Sequence, residues 1–333
     1  MSSRDLSNSR SVRPLQSRRH VLDLDDFSKE EIIEILDSAQ SMREILNRDI
    51  KKVPALRGKV VLTVFLEPST RTRVSFEQAG KMLSADVINI SGSGSSVEKG
   101  ESLLNTAKTL QSMRADLMVI RSPEAGTPYF LARNLQHIKV INAGDGAHAH
   151  PTQALLDLMT MRMHLGDMEG KKVVFVGDSL YSRVVRSDIL GLRALGASIV
   201  LSGPPTMTPF NKVLAQSGKA LSQVRLEPNL DVAIESADVI VALRIQKERQ
   251  QSGVLPSMRE YTRRWMITDE RYQRANPGAL LMHPGPLNEG IEIASSLAHS
   301  DKAQIEEQVT NGVAIRMALL NGLLMGNMGD LQE

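Results

Sequence analysis

The chain has 333 residues, more than one ordinary hydrophobic core holds and enough for two α/β domains. Its 40 basic and 38 acidic residues leave a formal charge of +2, so it has neither a broad basic field for nucleic acid nor an acidic tail. Aromatic residues are only 3%, which counts against base-stacking platforms, and the absence of cysteine removes disulfides, thiolate catalysis and cysteine metal sites.

Residues 1–18, MSSRDLSNSRSVRPLQSR, are rich in Ser and Arg and offer little to bury. Asp5 and the short length count against a transit peptide, so the expectation is a disordered tail on a soluble, cytoplasmic protein. No apolar stretch approaches the ~20 residues of a membrane span. Four short β-branched runs follow: 59–66 (KVVLTVFL), 86–91 (DVINIS), 116–121 (DLMVIR) and 139–144 (KVINAG). A helix is predicted from Pro151 to Leu165, because proline suits a first helical turn, where its missing N–H costs nothing. Four more runs come after it: 171–177, 197–203, 238–244 and 279–285. A final helix over about 302–325 carries Ile305, Val309, Val313, Ile315, Leu319, Leu320 and Leu323 at helical spacing.

Near-continuous apolar strands alternating with helices predict parallel sheets covered on both faces. The fold class is α/β, with two domains of four strands each, joined by interdomain helices. In such sheets ligands bind where strand C-termini enter loops. The chemically loaded residues fall there: Ser69 to Arg73, Arg121 and His150 in the first half, then Asp178 to Arg183, Arg244 to Arg249, and His283 to Pro286.

Ser69-Thr70-Arg71-Thr72-Arg73 opens a helix whose inward face is predicted to include Val74, Ala79, Met82 and Leu83. Unpaired N–H groups and the positive dipole end there, with three hydroxyls and Arg71, make a phosphate cradle. The same residues would also serve as a Ser69-capped helix with exposed arginines, and the pattern alone leaves both open. Neither a Walker loop nor a GxGxxG fingerprint is present, so nucleotide binding is unsupported. Gly92, Gly94 and Gly100 suggest a loop able to close over a ligand with Lys99 as its cation, or a solvated linker. Arg121 ends an apolar strand, where a guanidinium is costly unless paired. His150 shares the rim with these cations. Arg183 and Arg244 suit carboxylates, or act as structural ion-pair partners. The layout is a phosphate site facing a carboxylate site. No Asp/Glu/His cluster has metal spacing, so metal-free chemistry is expected.

Seven segments in order carry a resemblance: FLEPSTRTRVSFE, SSVEKGE, the arginine of VIRSP, GDGAHAHPTQALLDL, GDSLYSR, RIQKER and HPGPLNEG. Over residues 19 to 326 the chain resembles the aspartate branch of the aspartate/ornithine carbamoyltransferase family. Ornithine enzymes share the STRTR element but typically carry a His-Cys-Leu-Pro loop, where this chain has His283-Pro284-Gly285-Pro286.

The resemblance implies transfer of a carbamoyl group from carbamoyl phosphate to the amine of L-aspartate, an early step of pyrimidine biosynthesis, without a cofactor. It implies that Ser69, Thr70, Arg71, Thr72 and Arg121 hold the phosphate, completed by Ser95 and Lys99 from a neighbouring subunit of a homotrimer. Thr72, Arg121 and His150 would face the carbonyl oxygen, while Gln153 and the backbone near Pro284 and Gly285 orient the carbamoyl amide. Arg183 would take the α-carboxylate of aspartate, and Arg244, Gln246 and Lys99 its β-carboxylate. Glu67, Arg183 and Arg249 would pair across the domains on closure. The domains would be 19–165 plus 303–326 for carbamoyl phosphate and 166–302 for aspartate. A regulatory chain or a dihydroorotase-like partner stays open, as do another amino-acid acceptor and a non-catalytic homologue. Three positions depart from the family pattern: Glu98, Ser122 and Glu289 stand where basic residues are usual.

Overall fold

The computed structural model describes residues 15–91, 101–208, 224–245 and 257–325. The first sheet contains β1 (His20–Val21), β2 (Val60–Phe65), β3 (Asp86–Ser91), β4 (Leu117–Ser122) and β5 (Lys139–Asp145), in the order β1-β5-β4-β2-β3. The second contains β6 (Lys172–Val176), β7 (Ser198–Ser202), β8 (Val224–Leu226), β9 (Val239–Ala242) and β10 (Leu280–Met282), in the order β10-β9-β6-β7-β8. Every strand pair in both is parallel. Each sheet thus has five strands rather than the four expected. The additional ones, β1 and β8, are edge strands of two and three residues set among charged and polar neighbours, with no apolar run around them.

The helices in chain order are α1 (Lys29–Leu46), α2 (Thr70–Met82), α3 (Leu103–Ser112), α4 (Thr127–Asn134), α5 (Pro151–Leu165) and α6 (Arg183–Ala194). They continue with α7 (Leu230–Ala233), α8 (Met258–Trp265), α9 (Asp269–Tyr272), α10 (Ser295–Ala298) and α11 (Ile305–Met325). Pro151 to Met161 of α5 are buried without exception, because α1, α6, α11 and β5 surround the helix. A helix apolar around most of its circumference is one enclosed on all sides. Helix α11 turns back onto α1, α2 and α5, and Val309 lies 42% exposed instead of in its buried stripe.

Two more expectations need correction. Residues 1–14 of the expected disordered tail lie outside the described residues, but Leu15–Ser17 form a 3₁₀ turn. Leu15 is buried, and Arg18 pairs with Glu31 at 3.0 Å and Asp26 at 2.7 Å while its guanidinium lies over the Phe27 ring. These contacts order the segment despite its polar composition. In α2 the buried face is Thr72, Ser75, Phe76, Ala79 and Gly80, while Val74 is 49% exposed. Ala79 and Leu83 are buried as expected and Met82 is half-buried, so Val74 alone departs from the expected face, which centres on Phe76, the largest apolar side chain of the helix.

Candidate active site

The loops after β2, β4 and β5 meet those after β6, β9 and β10 across one cleft of about 490 Å³. Its lining includes Glu67, Ser69, Thr70, Arg71, Thr72, Arg121, His150, Gln153, Arg183, Arg244, Pro284 and Gly285. All the sequence-predicted site residues that are described thus come together. Ser95, Lys99, Gln246 and Arg249 lie outside the described residues, as does Glu98.

On one wall, β2 ends and Ser69 caps α2, its Oγ accepting the Thr72 N–H at 3.4 Å. The first turn then presents Thr70, Arg71 and Thr72 with the helix dipole behind them. Arg71 reaches the opposite wall, donating from Nη1 to the Pro284 carbonyl at 3.1 Å, and burial lowers its pKa. Gly285 has φ +68°, and a Cβ there would stand 1.4 Å from Arg71 Nη1. A side chain at this position would push the Arg71 guanidinium off the Pro284 carbonyl, and the positive φ itself favours glycine.

Arg121 sits where the β4–β5 register shifts between Ile120 and Ser122. Such a bulge re-aims a side chain at a strand end. Its Nη1 donates to the Ala143 carbonyl at 3.2 Å and its Nη2 to Glu67 Oε1 at 3.1 Å. Arg183, 4% exposed at the start of α6, donates to both Glu67 oxygens at 2.9 and 3.1 Å. Glu67 therefore ties a cation of each wall to one carboxylate, and the charge predicted to be costly is compensated. Gly144, φ +114°, makes room, since a Cβ there would lie 2.9 Å from Arg183 Cζ and 3.2 Å from Arg121 Nη1.

His150 precedes α5 and is 5% exposed. Its backbone N–H donates to Ser187 Oγ at 2.9 Å, and that hydroxyl donates to Asp23 Oδ1 at 2.7 Å. Burial pushes the Asp23 carboxyl up to about 6, against the opposing hydrogen bond from Ser187. The preceding loop is held by buried Asp145, which accepts from Asn142 Nδ2, Gly126 N–H and Ala149 N–H at 2.8, 2.8 and 3.1 Å. Burial opposes its ionisation, yet these bonds and His148 keep its pKa below the ordinary carboxylate value.

Sequence reasoning missed a layer of polar residues beneath the cleft: Asp157, Gln308 and Arg316 are all buried there. Burial lowers the Arg316 pKa to about 9, with repulsion from Arg121 adding to it and attraction to Asp157 opposing it. Asp157 carried one signal, its i+4 spacing from the predicted Gln153. Gln308, 151 residues further on, carried none. Two of the departures are described. Ser122 Oγ bonds Thr127 Oγ1 at 3.0 Å in a turn, and Glu289 faces His299 at 3.2 Å. Neither lines the cleft.

Residues 19–163 match the family model "Aspartate/ornithine carbamoyltransferase, carbamoyl-P binding domain", and residues 169–323 match its "Asp/Orn binding domain". The chain belongs to the aspartate/ornithine carbamoyltransferase family. Within that family it is 57% identical to the aspartate carbamoyltransferase catalytic subunit of Roseiflexus castenholzii, covering 91% of this chain and 94% of the relative. An aspartate transcarbamoylase structure from Trypanosoma cruzi, in complex with N-(phosphonacetyl)-L-aspartic acid, superposes with a TM-score of 0.83 at 28% identity, covering 92% and 96% of the two chains. Ornithine carbamoyltransferase from Pyrococcus furiosus gives 0.82 at 29%, covering 92% and 97%. Backbone likeness therefore does not separate the family's two branches; the relative at 57% identity is of the aspartate branch.

Proposed function

We propose that the cleft transfers the carbamoyl group of carbamoyl phosphate to the amine of L-aspartate, giving N-carbamoyl-L-aspartate and phosphate, an early step of pyrimidine biosynthesis. The observation that carries this reading is one cavity lined by a helix N-terminus with three hydroxyls and Arg71 on one side and Arg183 and Arg244 on the other. Two small anions fit such a site, the phosphate on the first wall and the dicarboxylate on the second.

The amine attacks an acyl carbon that is already activated, so no side-chain nucleophile is required. A nitrogen–carbon bond forms, the carbon–oxygen bond to phosphate breaks, and the departing phosphate takes the amine proton. Thr72, Arg121 and His150 supply donors to the developing oxyanion; losing one such donor costs ~10²–10³ in rate. Holding both substrates in register adds an orientation term. Gln153 and the backbone at Pro284 and Gly285 take the carbamoyl amide. Arg183 takes the α-carboxylate of aspartate, releasing part of its bond to Glu67. Arg244, with Gln246 and Lys99, takes the β-carboxylate.

The assignment of 19–165 plus 303–326 to carbamoyl phosphate and 166–302 to aspartate follows the two walls. The working form is a cytoplasmic homotrimer in which Ser95 and Lys99 of one subunit complete the pocket of the next, an arrangement with heterologous interfaces. In support, β3, which leads to that segment, is a sheet edge with Ile88 51% exposed, and the adjoining helix α2 leaves Val74 49% exposed. Carbamoyl aspartate formation, with ornithine as the control acceptor, tests the reaction; product with ornithine alone sinks it. Arg244→Ala should weaken aspartate use and spare carbamoyl phosphate binding. Trimers reassociated from inactive Lys99→Ala and His150→Ala chains should regain a fraction of activity. If verified mixed trimers stay at background, the shared site is wrong.

A further inference from the structure

Asp157 lies on α5 one turn beyond Gln153, is 0% exposed, and has no part in the chemistry above. Its Oδ1 accepts from Gln153 Nε2 at 3.1 Å and from Gln308 Nε2 at 2.6 Å. Gln308 belongs to α11, and its Oε1 accepts the backbone N–H of His283 at 3.0 Å. A backbone N–H can only donate, so the end of Gln308 at His283 is its oxygen and the end at Asp157 is its NH₂. The same carboxylate oxygen takes the NH₂ of Gln153, leaving Gln153 with an acceptor, Oε1, for the cleft it lines. His283 leads directly into Pro284, whose carbonyl is already fixed by Arg71. One oxygen therefore orients two amides from different helices, and through them both flanks of one corner of the cleft.

We propose that Asp157 is a positioning residue that gives this corner its polarity, turning the Gln153 oxygen toward the cleft beside the Pro284 carbonyl and thereby selecting an acyl phosphate whose acyl group bears NH₂ over one bearing CH₃. The inference rests on the carbamoyl-transfer reading. A carbamoyl group has two N–H donors for these acceptors, whereas an acetyl group has none and leaves buried acceptors unpaired. Sites built to bond a substrate N–H discriminate steeply against the analogue that lacks it. Once the carboxylate is removed, the Gln153 amide is free to turn and present either end, and the preference weakens. The charged groups that act on Asp157 are the Arg316 guanidinium from α11 and the Asp188 carboxyl from α6. Burial, and then the Asp157 charge, raise the Asp188 pKa well above the ordinary value. Burial raises the Asp157 pKa to about 7, against the hydrogen bonds from Gln308 and Gln153 and the attraction of Arg316, and Oδ1 accepts from both amides whether the carboxyl is ionised or carries its proton on Oδ2.

The test compares kcat/KM for carbamoyl phosphate and acetyl phosphate with aspartate as acceptor, acetyl phosphate also being measured as a competitive inhibitor. Asp157→Ala should lower the carbamoyl-over-acetyl preference about tenfold or more. Asp157→Asn keeps an accepting oxygen of the same shape and should retain most of the preference. Gln308→Met, which frees the His283 side alone, should lower it a few-fold. A merely structural role would reduce both donors equally. An unchanged preference in Asp157→Ala, or in Gln308→Met where the alanine chain does not fold, overturns the proposal. A wild-type protein that makes no carbamoyl aspartate overturns the underlying reading and this inference with it.

Discussion

In the first sheet β2 runs into serine-capped α2, β4 carries Arg121 at its penultimate position, and β5 leads to His150-Pro151. In the second, β6 runs into α6, capped by Ser182, β9 leads to Arg244, and β10 leads to His283-Pro284. The same residue types thus arrive at matching places of two sheets whose orders correspond over these strands. The histidines then part company. His150 lines the cleft, while His283 turns away, its Nδ1 accepting from the Gly285 N–H at 2.8 Å and its Nε2 standing 3.4 Å from Glu292. Glu292 also accepts from Asn288 N–H at 2.7 Å and Ile245 N–H at 2.9 Å, so it ties the loop after β9 to the loop after β10. Topology brings a residue to the rim, and the nearest carboxylate decides whether it faces substrate or holds the wall.

Exchanging the two histidine roles is the strongest way to break this comparison. His150→Ala should lower turnover by ~10²-fold or more with an unchanged unfolding midpoint, and His150→Gln should keep more activity than alanine. Equal inactivity of both variants, properly folded, would remove the donor role. Next, Glu67→Ala leaves two buried guanidiniums facing each other across the walls. A loss of about 3 kcal/mol in urea unfolding is expected, together with weaker aspartate use; an unaltered midpoint would mean that the Glu67 clamp holds nothing. His283→Ala should behave oppositely to His150→Ala, costing about 2 kcal/mol of stability with a smaller change in turnover.

The smallest effect is a pH dependence. Burial opposes ionisation of Glu292, but His283, Asn288 and the Ile245 N–H outweigh it and hold its pKa below the ordinary glutamate value of 4.5. A carboxyl depressed on folding contributes stability above its unfolded value, and that contribution fades as pH falls through the folded one. Glu292→Gln should therefore be less stable than wild type at pH 7, and the gap should narrow below about pH 4.5. A gap independent of pH would assign the effect to shape instead of charge.

Eight of the ten strands were readable in the sequence because each lies in an apolar run closed by turn residues, and α5 because proline marks its start. Helix α2 was legible in position and, at Ala79 and Leu83, in its buried face; Val74 was misplaced because Val74 and Phe76 are both apolar and only packing chooses between them. Site loops were legible because parallel sheets gather function at strand ends. Asp157 and Gln308 were not, because a polar residue inside an apolar helix gives no sign of which distant element will face it. Their pairing is a property of α11 returning to α5, which no local pattern encodes.

That return bears on how the protein is made. The covering helix of the first sheet, α11, packs on α1 and α2, yet it occupies residues 305–325 and leaves the ribosome after everything it covers. The second sheet is contiguous, from β6 through β10, and is fully synthesised before α11 appears. Vectorial synthesis therefore inverts the order in which the two halves can finish: the half that begins first must wait with Ile32, Ile35 and Phe76 uncovered. A nascent chain stalled before residue 305 should expose that surface to chaperones and proteases, while one stalled beyond residue 325 should hide it.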